Sequence, residues 1–278
     1  MNHLSAWRRL FYLLPASFLV ISCNLQKDIE VVLPSGPTQL VAECYLENGV
    51  VPRLTVTETA PYLSMTESLT LPEVTVVLTL PNGTRDTLQY APGQDRRTRK
   101  AYTHISKRRL TARPGNTFKL DIVDKQGNRH LTGTATMPTA VPINDVEWKF
   151  NDKPEGERQA YAIARFQDPG NTTDFYRFQI HRGTITDDSE SDYNVDDRLT
   201  NGQLVTLGTS YQFNPSDTII VSLYHLDEPY YRFLESVEDA RGANGNPFVQ
   251  PATVKSTVTG GIGVFTVLNY QRKQVIVR

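Results

Sequence analysis

Residues 74–88, VTVVLTLPNGTRDTL, decide the fold class because they carry the pattern of a β-hairpin. Two runs rich in valine, leucine and threonine flank Asn82-Gly83, and β-branched residues are favoured in strands. The Asn-Gly pair tolerates the positive φ angles that a tight hairpin turn requires. The segment therefore predicts two antiparallel strands joined at Asn82-Gly83.

Similar runs recur on both sides of this hairpin, separated by glycine, proline and asparagine. Further strands are predicted over Leu40–Leu46, Arg53–Thr59, Thr117–Val123, His130–Met137, Val146–Phe150, Gln159–Gln167, Asp174–His181, Gln203–Tyr211, Thr218–Leu226, Thr257–Val267 and Lys273–Val277. One helix near 228–241 interrupts them: Asp227 can cap it and Pro229 suits its first turn. The chain is therefore predicted to be all-β with one short helix.

The segment Met137–Pro142 contains two prolines, which favour extended backbone, and we place a domain boundary there. Residues 38–138 are predicted to form an N-terminal immunoglobulin-like or transthyretin-like β-sandwich. Residues 139–278 are predicted to form a second, mostly antiparallel β domain that carries the helix.

Composition excludes two broad classes of protein. Hydrophobic residues at 39% and charged residues at 21% are close to globular averages, so a disordered chain is not expected. A formal net charge of −1 gives no field that would attract nucleic acid. We therefore expect no nucleic-acid partner.

The N-terminus predicts export. A positive pair, Arg8-Arg9, precedes the apolar run Leu10–Ile21. This run is too short to cross a ~30 Å hydrocarbon core, which needs roughly 20 residues, so residues 1–22 are interpreted as a removable signal peptide.

The end of that signal, Leu19–Cys23, resembles the lipobox of bacterial lipoproteins, in which the cysteine thiol is diacylated before cleavage. We expect Cys23 to carry palmitate-type chains, followed by a tether to residue 37; two or more chains give lasting membrane attachment. The alternative is an ordinary secretory signal with an incidental cysteine. Cys44, the other cysteine, lies in an alternating run and is predicted to be a buried structural thiol.

Basic residues concentrate between positions 96 and 113. Arginine binds phosphate and carboxylate well, so one hypothesis is a patch that binds lipopolysaccharide phosphate, acidic glycan or a partner's acidic loop. The other, which the sequence favours, is a solvated hairpin loop and edge strand. The candidate anion-binding residues are Arg96, Arg97, Arg99, Lys100, Lys107, Arg108 and Arg109.

Residues 187–197 contain six carboxylates. Calcium ligands are conceivable at Asp187, Asp188, Asp192 and Asp196. The segment lacks the central glycine and terminal glutamate of an EF-hand, however, so a mobile solvated loop is favoured and no metal or other cofactor is expected.

Aromatic residues are the better candidates for ligand contact. Tyr230, Tyr231 and Phe248 lie in or near the helix and a loop, where sugar or protein contacts are often made. Because Tyr230 and Tyr231 are adjacent on the helix, at least one is expected to be exposed. No Gly-x-Ser-x-Gly, His-Glu-x-x-His, Gly-x-x-x-x-Gly-Lys or Cys-x-x-Cys motif is present, and we expect the protein not to be an enzyme.

The order of several short motifs resembles the Bacteroidota lipoproteins grouped as domain of unknown function 4249. The matching pieces are Cys23, Leu33-Pro34, Val41-Ala42-Glu43, Thr59-Ala60-Pro61-Tyr62, Thr134-Ala135-Thr136-Met137-Pro138, Phe166-Gln167-Asp168-Pro169, Tyr176-Arg177-Phe178, Asn201-Gly202-Gln203, Tyr230-Tyr231, Asn246-Pro247-Phe248 and Gly260-Gly261-Ile262-Gly263-Val264-Phe265. The resemblance implies an outer-membrane lipoprotein, often encoded beside TonB-dependent transporters, with a β-sandwich first half and no established catalytic residues. The basic stretch 96–113 departs from the family pattern, so no role for it is inherited.

Together these features predict a lipid-anchored, surface-exposed accessory or binding lipoprotein of the outer membrane, associated with a TonB-dependent transporter for nutrient capture. The alternatives are a free-standing glycan-binding or adhesin-like surface lipoprotein and a structural envelope protein.

Overall fold

Alternating apolar and polar residues build most of the described chain into β-strands. The computed structural model describes residues 37–60, 72–126, 128–185, 188–243, 250 and 252–278. The strands are β1 (Leu40–Glu47), β2 (Arg53–Glu58), β3 (Val74–Thr79), β4 (Arg85–Gln94), β5 (Ala101–Ile105), β6 (Thr117–Asp124), β7 (His130–Thr136), β8 (Ile143–Phe150), β9 (Ala160–Gln167), β10 (Phe175–Arg182), β11 (Ser191–Asp196), β12 (Leu204–Gly208), β13 (Thr218–Leu226), β14 (Val258–Thr259) and β15 (Ile262–Ile276), and the α-helix of these ranges is α1 (Glu228–Ala243). The all-β prediction with a single helix is confirmed.

The hairpin predicted from residues 74–88 is present. Strands β3 and β4 pair antiparallel, with Val76 opposite Leu88. Gly83 has a φ of 81°, and the Asn82 side chain accepts a hydrogen bond from the backbone N–H of Thr84 at 3.0 Å. The turn therefore uses the left-handed backbone for which glycine is suited.

Twelve strands form one long sheet in the order β11-β10-β13-β15-β1-β2-β5-β4-β3-β6-β7-β14. Its β1–β2 and β3–β6–β7 parts face each other, because their side chains pack into one core. That core includes Leu40, Cys44, Leu54, Val76, Leu88, Phe118, Ile122, Leu131 and Phe265. This is the first β-sandwich.

A second sheet, in the order β12-β9-β8, covers the other end of the long sheet. The two surfaces enclose a second core, which includes Ala162, Phe166, Tyr176, Phe178, Val205, Phe213, Val221 and Leu223. Both cores follow the alternation of the strands, since inward residues are separated by outward ones.

Strand β15 belongs to both sandwiches. Its first half pairs parallel with β1, where Val41 lies opposite Ile262, and its second half pairs antiparallel with β13, where Tyr224 lies opposite Tyr270. Residues 37–278 cluster as one compact unit. The range 139–278 therefore contributes strands to the first sandwich, and the division into two domains at residue 138 stays a prediction.

Three strand assignments differ from the sequence-based ones. Strand β5 lies within the basic stretch 96–113, for which a hairpin loop and edge strand was favoured without bounds, but it pairs on both sides, with β2 and β4; β11 lies where a solvated loop was favoured. The tail, predicted as two strands, contains the continuous β15. The acidic residues of β11 favour solvent exposure, but the segment still forms a strand because it pairs with β10. Its Tyr193 also packs against Phe178, with 5.2 Å between ring centroids.

Cys44 is buried in the first core, 1% exposed, as predicted. Burial raises the pKa of its thiol to about 12. Cys23, the signal peptide and most of the tether lie outside the described residues, so those assignments stay predictions. Within the described ranges, no helix has the length and hydrophobicity needed to cross a bilayer.

Candidate functional site

A groove of about 660 Å³ lies on the outer face of the long sheet, opposite its cores. Helix α1 forms one wall and the loop that joins β4 to β5 contributes to the other. The floor is formed by outward side chains of β10, β13, β15 and β1, among them Arg177, Tyr224, Leu268, Arg272 and Tyr45.

Strand alternation puts these residues on the floor. On β1, Cys44 faces the first core and its neighbour Tyr45 faces outward; on β10, Phe178 faces the second core and Arg177 faces outward. The same sequence pattern that builds the cores therefore lines the groove with tyrosine and arginine.

The helix wall is anchored by two tyrosines. The N–H of Tyr230 donates to the side chain of Asp227 at 2.9 Å, so Asp227 caps the helix as predicted. Tyr230 packs edge-on against Tyr45, with ring centroids 6.1 Å apart, and Tyr231 packs on Phe175 at 4.7 Å. The expectation that one of the two is exposed is wrong, because the helix rests in a depression and its neighbouring side chains contact different strands.

Arg177 and Asp192 form a closely spaced ion pair in the groove. The guanidinium donates through Nη2 to Oδ2 at 2.5 Å and through Nε to Oδ1 at 2.8 Å. Burial alone would raise the pKa of Asp192, but hydrogen bonds from Arg177 and Gln179 and the charge of Arg177 lower it overall. Asp192 is therefore a fixed, ionised acceptor beside the floor.

A second arginine, Arg272, is held among aromatic rings. Its guanidinium lies 3.9 Å from the ring centroid of Tyr270 and donates to the hydroxyl of Tyr224 at 2.9 Å. The hydroxyl of Tyr270 in turn donates to Glu47 at 3.2 Å. Ring stacking and hydrogen bonds therefore fix a cation on the floor of the groove.

The loop between β4 and β5 is folded by Asp95. This carboxylate accepts from the N–H groups of Arg97 and Thr98 at 2.8 and 3.1 Å, and its other oxygen pairs with Arg53 at 2.6 Å. Burial alone would raise the pKa of Asp95, but these hydrogen bonds and the nearby arginines lower it. The loop is thus a hydrogen-bonded turn.

Two predicted anion-binding residues reach the groove from this loop. Arg97 donates a hydrogen bond to the Glu47 carboxylate at 2.7 Å, and this bond is the main reason that the pKa of Arg97 is raised. Lys100 places its ammonium 5.0 Å from the ring centroid of Tyr45. Arg97 is therefore already neutralised, while Lys100 faces an aromatic ring.

The other predicted cations do not join them. Arg96, Arg99, Lys107, Arg108 and Arg109 are exposed. Arg99 occupies a left-handed turn with a φ of 59°, and Arg109 donates to the carbonyl of Gly49 at 2.9 Å. The structure thus divides the basic stretch into a groove-facing pair and a dispersed surface set.

The predicted calcium ligands also separate. Asp192 is bound by Arg177, Asp196 pairs with Arg198 at 2.7 Å, and Asp188 is exposed. Asp187 and the candidate aromatic Phe248 lie outside the described residues. A different set of carboxylates, Asp168, Asp174 and Asp197, is brought together at the end of the second sandwich.

The groove combines ring faces with fixed donors and acceptors of both signs. Arginine and lysine are nearly balanced by glutamate and aspartate along its walls, and several of them are already paired with one another. Such a lining suits a neutral, polar ligand with flat faces better than a multiply charged anion. No groove role was predicted for Arg177, Glu47, Asp95 or Arg272, and Asp192 was considered only as a calcium ligand, because the strand register brings these residues together.

Comparison with known proteins gives one positive finding. A family model described as Domain of unknown function (DUF4249) matches residues 26–274. No curated protein matches the chain.

Proposed function

The chain belongs to the DUF4249 family, and from that premise we propose that it is a lipid-anchored outer-membrane binding lipoprotein that captures a nutrient in the groove beside α1 for a TonB-dependent transporter. The proposal places the protein at the cell surface, attached through Cys23. In this role the protein binds a ligand and catalyses no reaction.

The groove is the observation that carries this proposal. Its floor is preorganised, because Arg272 is stacked on Tyr270 at 3.9 Å and Arg177 is held by two hydrogen bonds to Asp192. Fixed polar groups and ring faces bind without a large ordering cost. A volume of about 660 Å³ lies within the range of small-molecule sites, roughly 300–1,000 Å³. An oligosaccharide or a short polar peptide fits this chemistry.

The transporter association is tested by pull-down of the tagged full-length protein from its own outer membrane in mild detergent. Cys23→Ala is the control, because it removes the lipid attachment point and leaves residues 37–278 unchanged. We expect stoichiometric recovery of a large barrel protein that is lost in the control. Recovery of the lipoprotein alone would contradict the accessory role.

The binding role is tested with Arg272→Ala and, as a matched control, Lys119→Ala, which removes an exposed cation from β6, outside the groove. A glycan array identifies the best ligand for the wild-type protein. Loss of the floor cation is expected to weaken that ligand at least about tenfold, or roughly 1.4 kcal/mol. Equal affinity of the two variants for that glycan would show that it binds outside the groove.

The second candidate function is a free-standing glycan-binding or adhesin-like surface lipoprotein. The groove also favours this second function, because its tyrosines and its nearly equal numbers of basic and acidic side chains can bind sugar without a transporter. The two functions differ in one result: glycan binding by the delipidated protein together with no co-purified barrel supports the free-standing module.

A further inference from the structure

Three aspartates converge at one end of the second sandwich. Asp168 directly follows β9, Asp174 directly precedes β10, and Asp197 directly follows β11. Each offers a carboxylate oxygen within 4.8 Å of the others, and their exposed fractions are 2%, 5% and 1%. Carboxylates are seldom buried this closely without a compensating positive charge.

Among the described residues, His225 is the basic side chain that pairs with this cluster. Across the described ranges, the ion pair that reaches it is His225 Nε2 to Asp174 Oδ1, at 2.8 Å. The other ring nitrogen of His225 donates to the carbonyl oxygen of Thr139, which can only accept. Arg198, one residue beyond Asp197, pairs with Asp196 instead. Three buried carboxylates therefore face one histidine side chain.

Hydrogen bonds hold two of the carboxylates in place and leave the third incomplete. Asp168 accepts from the Tyr176 hydroxyl at 2.5 Å and from the Gly202 N–H at 2.8 Å. Asp174 accepts from the Thr172 hydroxyl at 2.7 Å in addition to His225. Among the described residues, however, the buried Asp197 Oδ2 finds no hydrogen-bond partner, and the same is true of Thr200 Oγ1.

An unpartnered, buried carboxylate oxygen is costly, and in native proteins such an atom commonly marks a bound ion or water. Asp197 belongs to a cluster of three converging carboxylates, so a cation bound among them would supply the partner that its Oδ2 lacks among the described residues.

We propose that Asp168, Asp174 and Asp197 bind a calcium ion. The ligands are hard carboxylate oxygens, which calcium and magnesium prefer over softer metals. Calcium accepts irregular coordination by several carboxylates and backbone oxygens, whereas magnesium demands near-ideal octahedral geometry and retains several waters. His225 takes no metal in this arrangement. It is a positioning residue that orients Asp174.

The site would join the two loops that bracket strands β10 and β11. Asp174 lies three residues before Arg177, and Asp197 lies five residues after Asp192, so the ion fixes the ends of the strand pair that carries the main ion pair of the groove. Bound calcium is therefore expected to stabilise the second sandwich and to keep β10 and β11 aligned beside the groove.

The test uses the purified full-length protein stripped with a chelator and then titrated with calcium chloride or magnesium chloride by calorimetry. We expect one calcium site with a Kd of about 0.1–1 mM, the range of extracellular calcium modules, and much weaker magnesium binding. At about 10 mM calcium the melting temperature should rise by roughly 3–10 °C. Terbium provides an independent probe, because Tyr176 lies against a ligand and can sensitise its luminescence.

Asp197→Asn tests the assignment, with Glu190→Gln as the matched control on an exposed carboxylate at the other end of β11. Asp197→Asn should abolish the calcium-dependent rise in melting temperature without lowering that of the chelated protein, because the Oδ2 atom that it replaces has no hydrogen-bond partner among the described residues. Should this variant fail to fold, the wild-type titrations decide the question. Absence of calcium and terbium binding to the wild type, or full calcium binding by Asp197→Asn, would overturn the site, and an equal response to magnesium would overturn the choice of calcium.

Discussion

The guanidinium of Arg177 on β10 donates two hydrogen bonds, of 2.8 and 2.5 Å, to the carboxylate of Asp192 on β11. The two residues are diagonal neighbours, because Arg177 lies directly opposite Asn194. The register places Gln179 opposite Asp192, and the Gln179 amide donates a third hydrogen bond to it at 3.0 Å. An acidic edge strand is thereby tied to the sheet by side chains as well as by its backbone.

Replacing Arg177 by methionine should destabilise the protein by about 1–3 kcal/mol, because it leaves a partly buried carboxylate without its charged donor. Urea unfolding measures the change. Lys119→Met, an exposed cation on the strand β6, is the control and should stay within about 0.5 kcal/mol of wild type. Equal stability of the two variants would show that the pair is solvent-screened.

The pKa of Asp192 is lower in the folded protein than in the unfolded chain, so its contribution to the free energy of unfolding depends on pH. That contribution is fully present above the unfolded value of about 3.9 and is lost as the pH falls through the folded value. The melting temperatures of wild type and Asp192→Asn should therefore differ most at pH 6 and converge toward pH 2. A difference that grows on acidification would contradict the pairing.

The Cys44 thiol should be inert in the native protein. Its pKa of about 12 leaves almost no thiolate at pH 8, and its exposed fraction is 1%. In a Cys23→Ala background, a disulfide reagent should label the single remaining cysteine only after denaturation. Fast labelling of the folded protein would indicate that the first core opens locally.

Gly263 is expected to tolerate no side chain. Its φ is 133°, and a Cβ atom there would lie 1.9 Å from the carbonyl oxygen of Ala42 on β1. Gly263→Ala should cost at least about 3 kcal/mol or prevent folding, because strain and the loss of strand pairing add. Gly156→Ala is the control, since a Cβ at Gly156 meets nothing within 4 Å. Soluble yield and melting temperature report the outcome.

Features that depend on neighbours in sequence were predictable. The turn at Asn82-Gly83 and the cap at Asp227 each need only a few adjacent residues, and both are present. Residues 191–196 were misjudged because acidic composition indicates solvent, whereas cross-strand partners such as Arg177 decide the outcome. The convergence of Asp168, Asp174 and Asp197 depends on where three strands end in space, and no spacing along the chain expresses it.

The last long strand has a consequence for the order in which the protein can be completed. Synthesis runs from the N-terminus, yet β1 finds its parallel partner only in Ile262–Leu268, and Phe265 and Val267 fill the first core from there. Until those residues are made, β1 pairs with β2 on one side but leaves its other edge unpaired, and the first sandwich is missing part of its interior. A chain that ends before Ile262 would lack the strand that the two sandwiches share. Neither sandwich is therefore expected to fold without β15.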